Sequence, residues 1–302
     1  MPSPRRTVAL VTCARFPKLA PDDRLLREAL AERGIVARPA VWDDAEVAWS
    51  SFDAVVVRSC WDYHLRLREF LTWIDRLEQG GTSLWNPASL LRWNADKSYL
   101  RAVADRGVRV VPTRWVGAGE EPSLGDILRE EGWDQAVVKP TVSASAHNTW
   151  RTDRSQVDRD QARLRALARA GGVMVQPFLP ELAIAGEWSL IYFAGRFSHA
   201  VLKQPREGDF RVQGELGGSH LCLDPGVELV QQADAVLREV PESPLYARVD
   251  GPVVGGRLML MEVELLEPQL YLGSSPGAAQ RFATEIAARL PASEVSPVRA
   301  PQ

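Results

Sequence analysis

One largely apolar stretch, Leu245–Leu272, concentrates Arg248, Asp250, Glu262, Glu264 and Glu267. Side chains alternate between the two faces of a strand, so Glu262 and Glu264 project to one face, about 7 Å apart, and Arg248 and Asp250 share a face of theirs. A carboxylate in hydrophobic company is costly unless something compensates it. A hard divalent cation would do so, since Mg²⁺ takes carboxylate oxygens together with the phosphate oxygens of a substrate. The same pattern also describes a half-buried hairpin whose solvent face is acidic.

Two further clusters carry chemistry. Lys139 ends the apolar run Gln135–Pro140 and is followed by the small, polar segment Thr141–Thr149. Such a loop can close over an anion, its backbone N–H and hydroxyl groups meeting phosphate oxygens. It is not a P-loop, because the glycines and the Gly-Lys-Ser/Thr ending are absent; a plain solvated strand-end lysine is the other reading. Arg58, Trp61 and Tyr63 stand just beyond the apolar strand Phe52–Arg58. In α/β sheets, ligands collect past the carboxyl ends of strands. A cation and two aromatics there can orient a carboxylate substrate, or can be a packed Trp and Tyr beside a local Arg–Asp pair.

The elements that must position these residues follow from pattern. Thr7–Cys13, Ile35–Val41 and Phe52–Arg58 read as strands, with a helix over Arg24–Arg33 that Asp22 or Asp23 caps and Gly34 closes. Near-continuous apolar strands alternating with helices suit a parallel sheet. Helices are expected over Glu69–Gln79, Leu90–Ala104, Leu124–Glu131 and Asp153–Ala170, and strands over Val108–Thr113, Gln135–Pro140 and Val173–Leu179. Glu187–Phe193 and Arg196–Lys203 form a hairpin over Ala194-Gly195. A glycine-rich loop, Gly208–Gly218, carries Arg211; helices lie within Gly226–Val240 and over Gly277–Leu290, and a tail follows.

Composition narrows the function. The chain has 302 residues, 45% hydrophobic and 25% charged, with net charge −3. That is ordinary globular composition, and the absence of a basic block speaks against nucleic acid. No apolar run reaches the length of a membrane span. Three scattered cysteines (Cys13, Cys60, Cys222) and four scattered histidines give neither a disulfide framework nor zinc spacing. A reducing cytoplasm is the expected compartment.

In order along the chain, Asp96-Lys97, Val137-Val138-Lys139-Pro140, the serine-rich loop, Gln176-Pro177-Phe178-Leu179, Gly186-Glu187, Asp250 and Glu262-Val263-Glu264 resemble the ATP-grasp superfamily, in its glutathione synthetase and RimK-like branch. The match covers roughly residues 84–273. The Arg58–Tyr63 and Trp85–Lys97 segments are similar to a group of small ATP-grasp ligases that includes the cycloserine-forming cyclo-ligase. The resemblance implies an α/β fold in three parts: a pre-ATP-grasp domain over 1–92, a lid-bearing subdomain over 93–175 and a C-terminal subdomain over 176–295, with a tail at 296–302. It places ATP between the last two. Lys97, Lys139, Ser143 and Ser145 would reach its phosphates, Gln176, Phe178 and Leu179 its adenine, and Glu187 its ribose. Asp250, Glu262 and Glu264 would hold Mg²⁺. Lys203 and Arg211 would flank the transferring phosphoryl group, with Gly217 and Gly218 donating backbone N–H groups and Arg58, Trp61 and Tyr63 lining the substrate pocket. This chain departs from the superfamily in having Glu264 where Asn is common, and serines and alanines where many phosphate loops have glycines.

The implied reaction is carboxylate–nitrogen ligation on a small amino-acid-like substrate through an acylphosphate. In-line phosphoryl transfer needs positioning and charge neutralisation rather than covalent help. Closure of O-ureido-serine to cycloserine is the leading case, with intermolecular ligation to an amine and a non-catalytic nucleotide-binding module as alternatives. Ligases of this type are often homo-oligomers. One geometric requirement follows. A two-residue turn at Gly255-Gly256 pairs Val254 with Arg257, and regular pairing from there puts Asp250 on the face opposite Glu262 and Glu264. A shared metal therefore requires a three-residue loop at Val254–Gly256 or a bulge nearby, setting Asp250 opposite Leu260 and Arg248 opposite Glu262.

Overall fold

The computed structural model describes residues 6–206, 211 and 217–291. The tail at 296–302, and all of the glycine-rich loop except Arg211, Gly217 and Gly218, lie outside the described residues. The chain opens as β1 (Thr7–Thr12), α1 (Pro21–Ala31), β2 (Val36–Val41), β3 (Ala54–Ser59), α2 (Leu67–Gln79) and β4 (Leu84–Trp85). The four strands form a parallel sheet in the order β2-β1-β3-β4. Every residue of β3 is buried, as a strand covered on both faces requires. Helix α1 begins earlier than its acidic pair suggested, because Pro21 occupies the first turn. Asp22 and Asp23 are therefore inside the helix rather than at its cap, and Asp23 is free to turn into the core.

The second layer comprises α3 (Ala88–Asn94), α4 (Tyr99–Asp105), β5 (Arg114–Val116), α5 (Leu124–Glu130), β6 (Gln135–Pro140), β7 (Trp150–Asp153), α6 (Val157–Ala170) and β8 (Val173–Pro177). Its sheet is antiparallel, ordered β5-β8-β6-β7. Three expectations are corrected here. Leu90–Ala104 is not one helix: it breaks over 95–98, where the Asp96 carboxylate accepts from the Ser98 N–H and the Lys97 N–H donates to Thr141 O. Val108–Thr113 is not a strand and makes only a bridge from Val110 to Leu260. Helix α6 starts at Val157, because Asp153 ends β7, pairing with Gln135, and Arg154–Gln156 form a single 3-10 turn between them.

The third sheet, ordered β11-β10-β9-β12-β15, is built from β9 (Glu187–Phe193), β10 (Arg196–Gln204), β11 (Ser219–Cys222), β12 (Tyr246–Gly251) and β15 (Glu262–Glu264). The short helix α7 (Pro180–Ile184) precedes it, and α8 (Val227–Arg238) packs beneath. The last helix, α9 (Ala278–Arg289), returns to the first sheet, where Phe282 and Ile286 share a core with Val8, Leu26 and Leu30. Between β12 and β15, the short strands β13 (Val253–Val254) and β14 (Arg257–Leu258) pair across a two-residue turn, with Gly255 at φ 61° and Gly256 at φ 75°. The three-residue loop is thus absent, and the bulge is present. Pairing shifts by one residue between Val253↔Leu258 and Asp250↔Glu262. Leu260 is the extra residue: its N–H donates to Arg109 O and its C=O accepts from the Val111 N–H, so it leaves the ladder. Gly251 allows the crossing, since a Cβ there would sit 2.2 Å from Met259 O. Asp250 lies opposite Glu262, not Leu260, and Arg248 opposite Glu264. All four side chains share one face.

Candidate active site

The three sheets surround a cavity of about 490 Å³. Its floor is the face of β12 and β15 just described. Strand β15 is the edge of its sheet, and its backbone is completed by side chains from the broken helix. Tyr99 OH donates to Val263 O and accepts from Val263 N, while Asn94 donates to Val263 O and accepts from the Leu265 N–H. With Val263 buried, Glu262 and Glu264 are turned into the cavity. The same helix break delivers Lys97, whose ammonium stands 3.0 Å from Glu262 and donates to Ser143 O at 2.7 Å.

Opposite charges alternate across this floor. Arg248 binds both oxygens of Asp250 and also reaches Glu264. Lys203 lies 3.2 Å from Glu187, its direct partner across the β9–β10 hairpin, and 3.5 Å from Asp250. Burial is the largest influence on Lys203, but Asp250 and Glu187 outweigh it and hold its pKa well above the lysine range. Burial raises the Glu264 carboxyl well above the carboxylate range, Arg248 opposing and Glu262, Asp250 and Glu267 adding to the rise. Lys139 differs from the other cations. Burial and then Lys97 lower its pKa, against Glu262 and Glu187, and among the described residues its ammonium has no ion-pair or hydrogen-bond partner.

Lys139 stands near the end of β6, and the loop after it curls back into the cavity through left-handed backbone at Ser145 (φ 50°), Ala146 (φ 55°) and Asn148 (φ 54°). This loop reaches such a conformation without glycine. Ser143 and Ser145 line the wall, as do Gln176, Leu179, Glu187 and Arg211. Gln176 donates to Thr113 Oγ1 at 2.8 Å, which fixes the strand end β8 against the segment before β5. Phe178 is not on the wall; its ring carries the Arg151 guanidinium at 3.8 Å. Gly217 and Gly218 also lie off the wall.

The Arg58–Tyr63 expectation divides. Trp61 lines the cavity, packed edge-on against Phe16. Tyr63 is buried in the core against Phe70. Arg58 is 2% exposed and does not face the cavity: it pairs with Asp23 at 2.9 Å and donates to Pro268 O at 2.8 Å. The early start of α1 is what brings Asp23 there. Arg58 is one of a series of donors. The strap after β15 has no regular structure, yet its successive carbonyls from Leu265 to Leu270 accept from Asn86, Tyr246, Trp61, Arg58, Arg248 and His199. Arg58→Ala would leave Asp23 buried without its cation, so we expect a loss of about 3–5 kcal/mol in stability. Urea unfolding measures it; an unshifted midpoint with a raised substrate KM would return Arg58 to the substrate pocket.

The strap adds wall residues that sequence reasoning missed. Gln269 and Tyr271 carry no pattern that marks them, and the charge of Glu267, like that of Arg248 on β12, does not by itself assign a role. The only available signal was polar residues interrupting an apolar run. Glu267 is 8% exposed, and burial, with Glu262 adding and Lys97 opposing, pushes its carboxyl up to about 7.

Comparison with known proteins places this arrangement. Residues 8–86 match the domain family described as D-cycloserine synthetase DcsG, N-terminal domain. The cycloserine biosynthesis protein DcsG of Streptomyces lavendulae is 35% identical over 312 residues, covering 94% of this chain and 98% of its own. The crystal structure of D-cycloserine synthetase DcsG superposes with a TM-score of 0.86 at 33% identity, over 94% of this chain and 100% of that one. A D-alanine–D-alanine ligase from Bacillus anthracis, solved with ATP, shares the fold at a TM-score of 0.67 and 15% identity, over 94% and 96% of the two chains. With three sheets around one charged cavity, and with this identity over nearly the whole length, the chain belongs to the D-cycloserine synthetase family of ATP-grasp ligases.

Proposed function

We propose that this enzyme closes O-ureido-serine into the cycloserine ring at the expense of ATP. The observation that carries the reading is the unpaired Lys139 facing carboxylates and cations across one cavity, in a chain that matches cycloserine synthetase along nearly all its length. The substrate carboxylate attacks the γ-phosphorus, giving an acylphosphate and ADP. The ureido nitrogen bonded to oxygen then attacks the acyl carbon, and phosphate leaves. Water must finally remove the carbamoyl cap from that nitrogen. Lys97, Lys139, Ser143 and Ser145 hold the ATP phosphates. Gln176, Phe178 and Leu179 hold adenine through their backbone, and Glu187 holds ribose. Lys203 and Arg211 flank the phosphoryl group in flight; Gly217 and Gly218, off the cavity wall in this structure, would donate their backbone N–H groups to it only after moving inward. In this reading the chain divides into a pre-ATP-grasp domain over 1–92, a lid-bearing subdomain over 93–175 and a C-terminal subdomain over 176–295.

The residues suit Mg²⁺. The candidate donors are all hard carboxylate oxygens, and burial, with Glu262, Asp250 and Glu267 adding to it, raises the Glu264 carboxyl well above the carboxylate range, a cost that a divalent cation would offset. Glu262 and Glu264 would hold it. Asp250 joins them only by giving up Arg248, because among the described residues no three such groups stand ready around one point. When bound, the ion supplies charge neutralisation on the phosphates.

ADP release with O-ureido-serine as sole acceptor tests the reading. Turnover without any added amine, with cycloserine as product, is expected. A strict requirement for a second amine substrate would favour intermolecular ligation instead.

A further inference from the structure

We propose that Glu267 is the anchor for the α-ammonium group of the amino-acid substrate, and so the residue that makes a free amine beside the activated carboxylate a condition of turnover. The inference rests on the amino-acid ligase reading above and assigns one of its specificity determinants.

The first observation is a carboxylate with no cation partner among the described residues; beyond its own backbone N–H, no hydrogen bond from them reaches it. Glu267 is more than nine-tenths buried and faces the cavity. Among the described residues no cation lies within ion-pair distance of it, and no side chain donates to it. Its neighbours are differently placed: Asp250, Glu264, Glu262 and Glu187 are each paired with Arg248, Lys97 or Lys203. A buried carboxylate supported only by its own backbone N–H and by unpaired cations at a distance is expensive. A cationic group on the ligand would compensate it.

The second observation is the scaffold. The strap that carries Glu267 is immobilised at six successive carbonyls by donors from all over the chain. Positioning of this kind suits a group that must meet a ligand in one place. Tertiary structure thus fixes the backbone on either side of Glu267 and leaves its side chain without a cation partner among the described residues.

The third observation is what stands around it. Trp61, whose indole N–H holds Glu267 O at 3.0 Å, lines the same cavity with Phe16 packed against it. Aromatic faces favour an ammonium group, whereas Mg²⁺ seeks oxygen ligands and water. The location also fits the substrate's own geometry. In an α-amino acid the ammonium lies one carbon from the carboxylate. The anchor must therefore stand close to the cations that flank the transferring phosphoryl group, yet apart from them. Glu267 lines the same cavity as both of those cations, Lys203 and Arg211.

The test compares wild type with Glu267→Gln, which keeps shape and removes charge, on O-ureido-serine and on its desamino analogue, 3-(ureidooxy)propanoate. We expect KM for O-ureido-serine to rise about 50-fold or more in the variant, the cost of one charge-assisted contact in a buried site. The KM for ATP should stay within about threefold, since ATP does not touch this residue. Wild type should prefer the amine over the desamino analogue by a similar factor, and Glu267→Gln should have lost that preference. Glu267→Asp should restore part of it. A variant with unchanged KM and a collapsed kcat would make Glu267 a proton acceptor, and one that only needs more Mg²⁺ would make it a metal ligand; either overturns the anchor. A wild-type enzyme that releases no ADP with O-ureido-serine, and binds it no better than the desamino compound, overturns both this assignment and the reading beneath it.

Discussion

Lys139→Ala lowers ADP release by about 10²–10³-fold, the usual loss when one preorganised donor to a developing charge is removed, and leaves the protein at least as stable as before. The two halves of this expectation have one cause. Burial depresses the Lys139 pKa, and no group among the described residues pairs with its ammonium. In the free protein the cation is thus a cost. In the ATP complex the same cation meets phosphate oxygens in a partly enclosed cavity, where its charge is felt more than in bulk water. Function at the expense of stability is common at such sites. Thermal unfolding and ADP release on the same preparation separate the two effects. A variant with wild-type turnover sinks the phosphate assignment; one that loses turnover by unfolding points to a packing role instead.

Glu262→Ala should be the more damaging change, with turnover down about 10³-fold, because a metal-binding oxygen and a counterion are lost together. Glu262 stands opposite Asp250 and beside Glu264, and it is also the ion-pair partner of Lys97 at 3.0 Å. Lys97 is 6% exposed, so alanine leaves a buried ammonium with only the Ser143 carbonyl and hydroxyl. Some loss of stability accompanies the loss of activity, smaller than for a fully buried pair because the Glu262 side chain is 26% exposed. Glu262→Gln distinguishes the two roles, keeping the shape beside Lys97 while weakening the hold on Mg²⁺. Raising Mg²⁺ should recover part of the Gln variant's activity and none of the Ala variant's. If Glu262→Ala turns over within about tenfold of wild type at equal Mg²⁺, the carboxylate is not a metal ligand.

Much of this site could be read from the chain because it depends on neighbours in sequence. The two-residue period of Glu262-Val263-Glu264 places both carboxylates on one face whatever surrounds them. The apolar run before Lys139 makes a strand with a lysine near its end, and the small residues after it make a loop. Apolar strands alternating with helices specify the parallel first sheet. Periodicity is a local property, and side-chain direction follows from it.

What the tertiary structure decided involves groups far apart in the chain. Asp250 joins the carboxylate face only because Leu260 leaves the ladder to bond with the 109–111 segment, and nothing near Leu260 announces that partner. Lys97 reaches the cavity through a break in a stretch that reads as one helix; the segment's own Asn94, Asp96 and Ser98 were the available warning, since such side chains compete with helical backbone bonds. Arg58 sits where an α/β sheet presents ligand contacts, yet it faces inward, because an aspartate 35 residues earlier and a carbonyl 210 residues later hold it. The strap at 265–270 lacks periodicity altogether. Its conformation is set by side-chain donors on other elements, and a hydrogen bond across such a separation leaves no pattern in either sequence it joins.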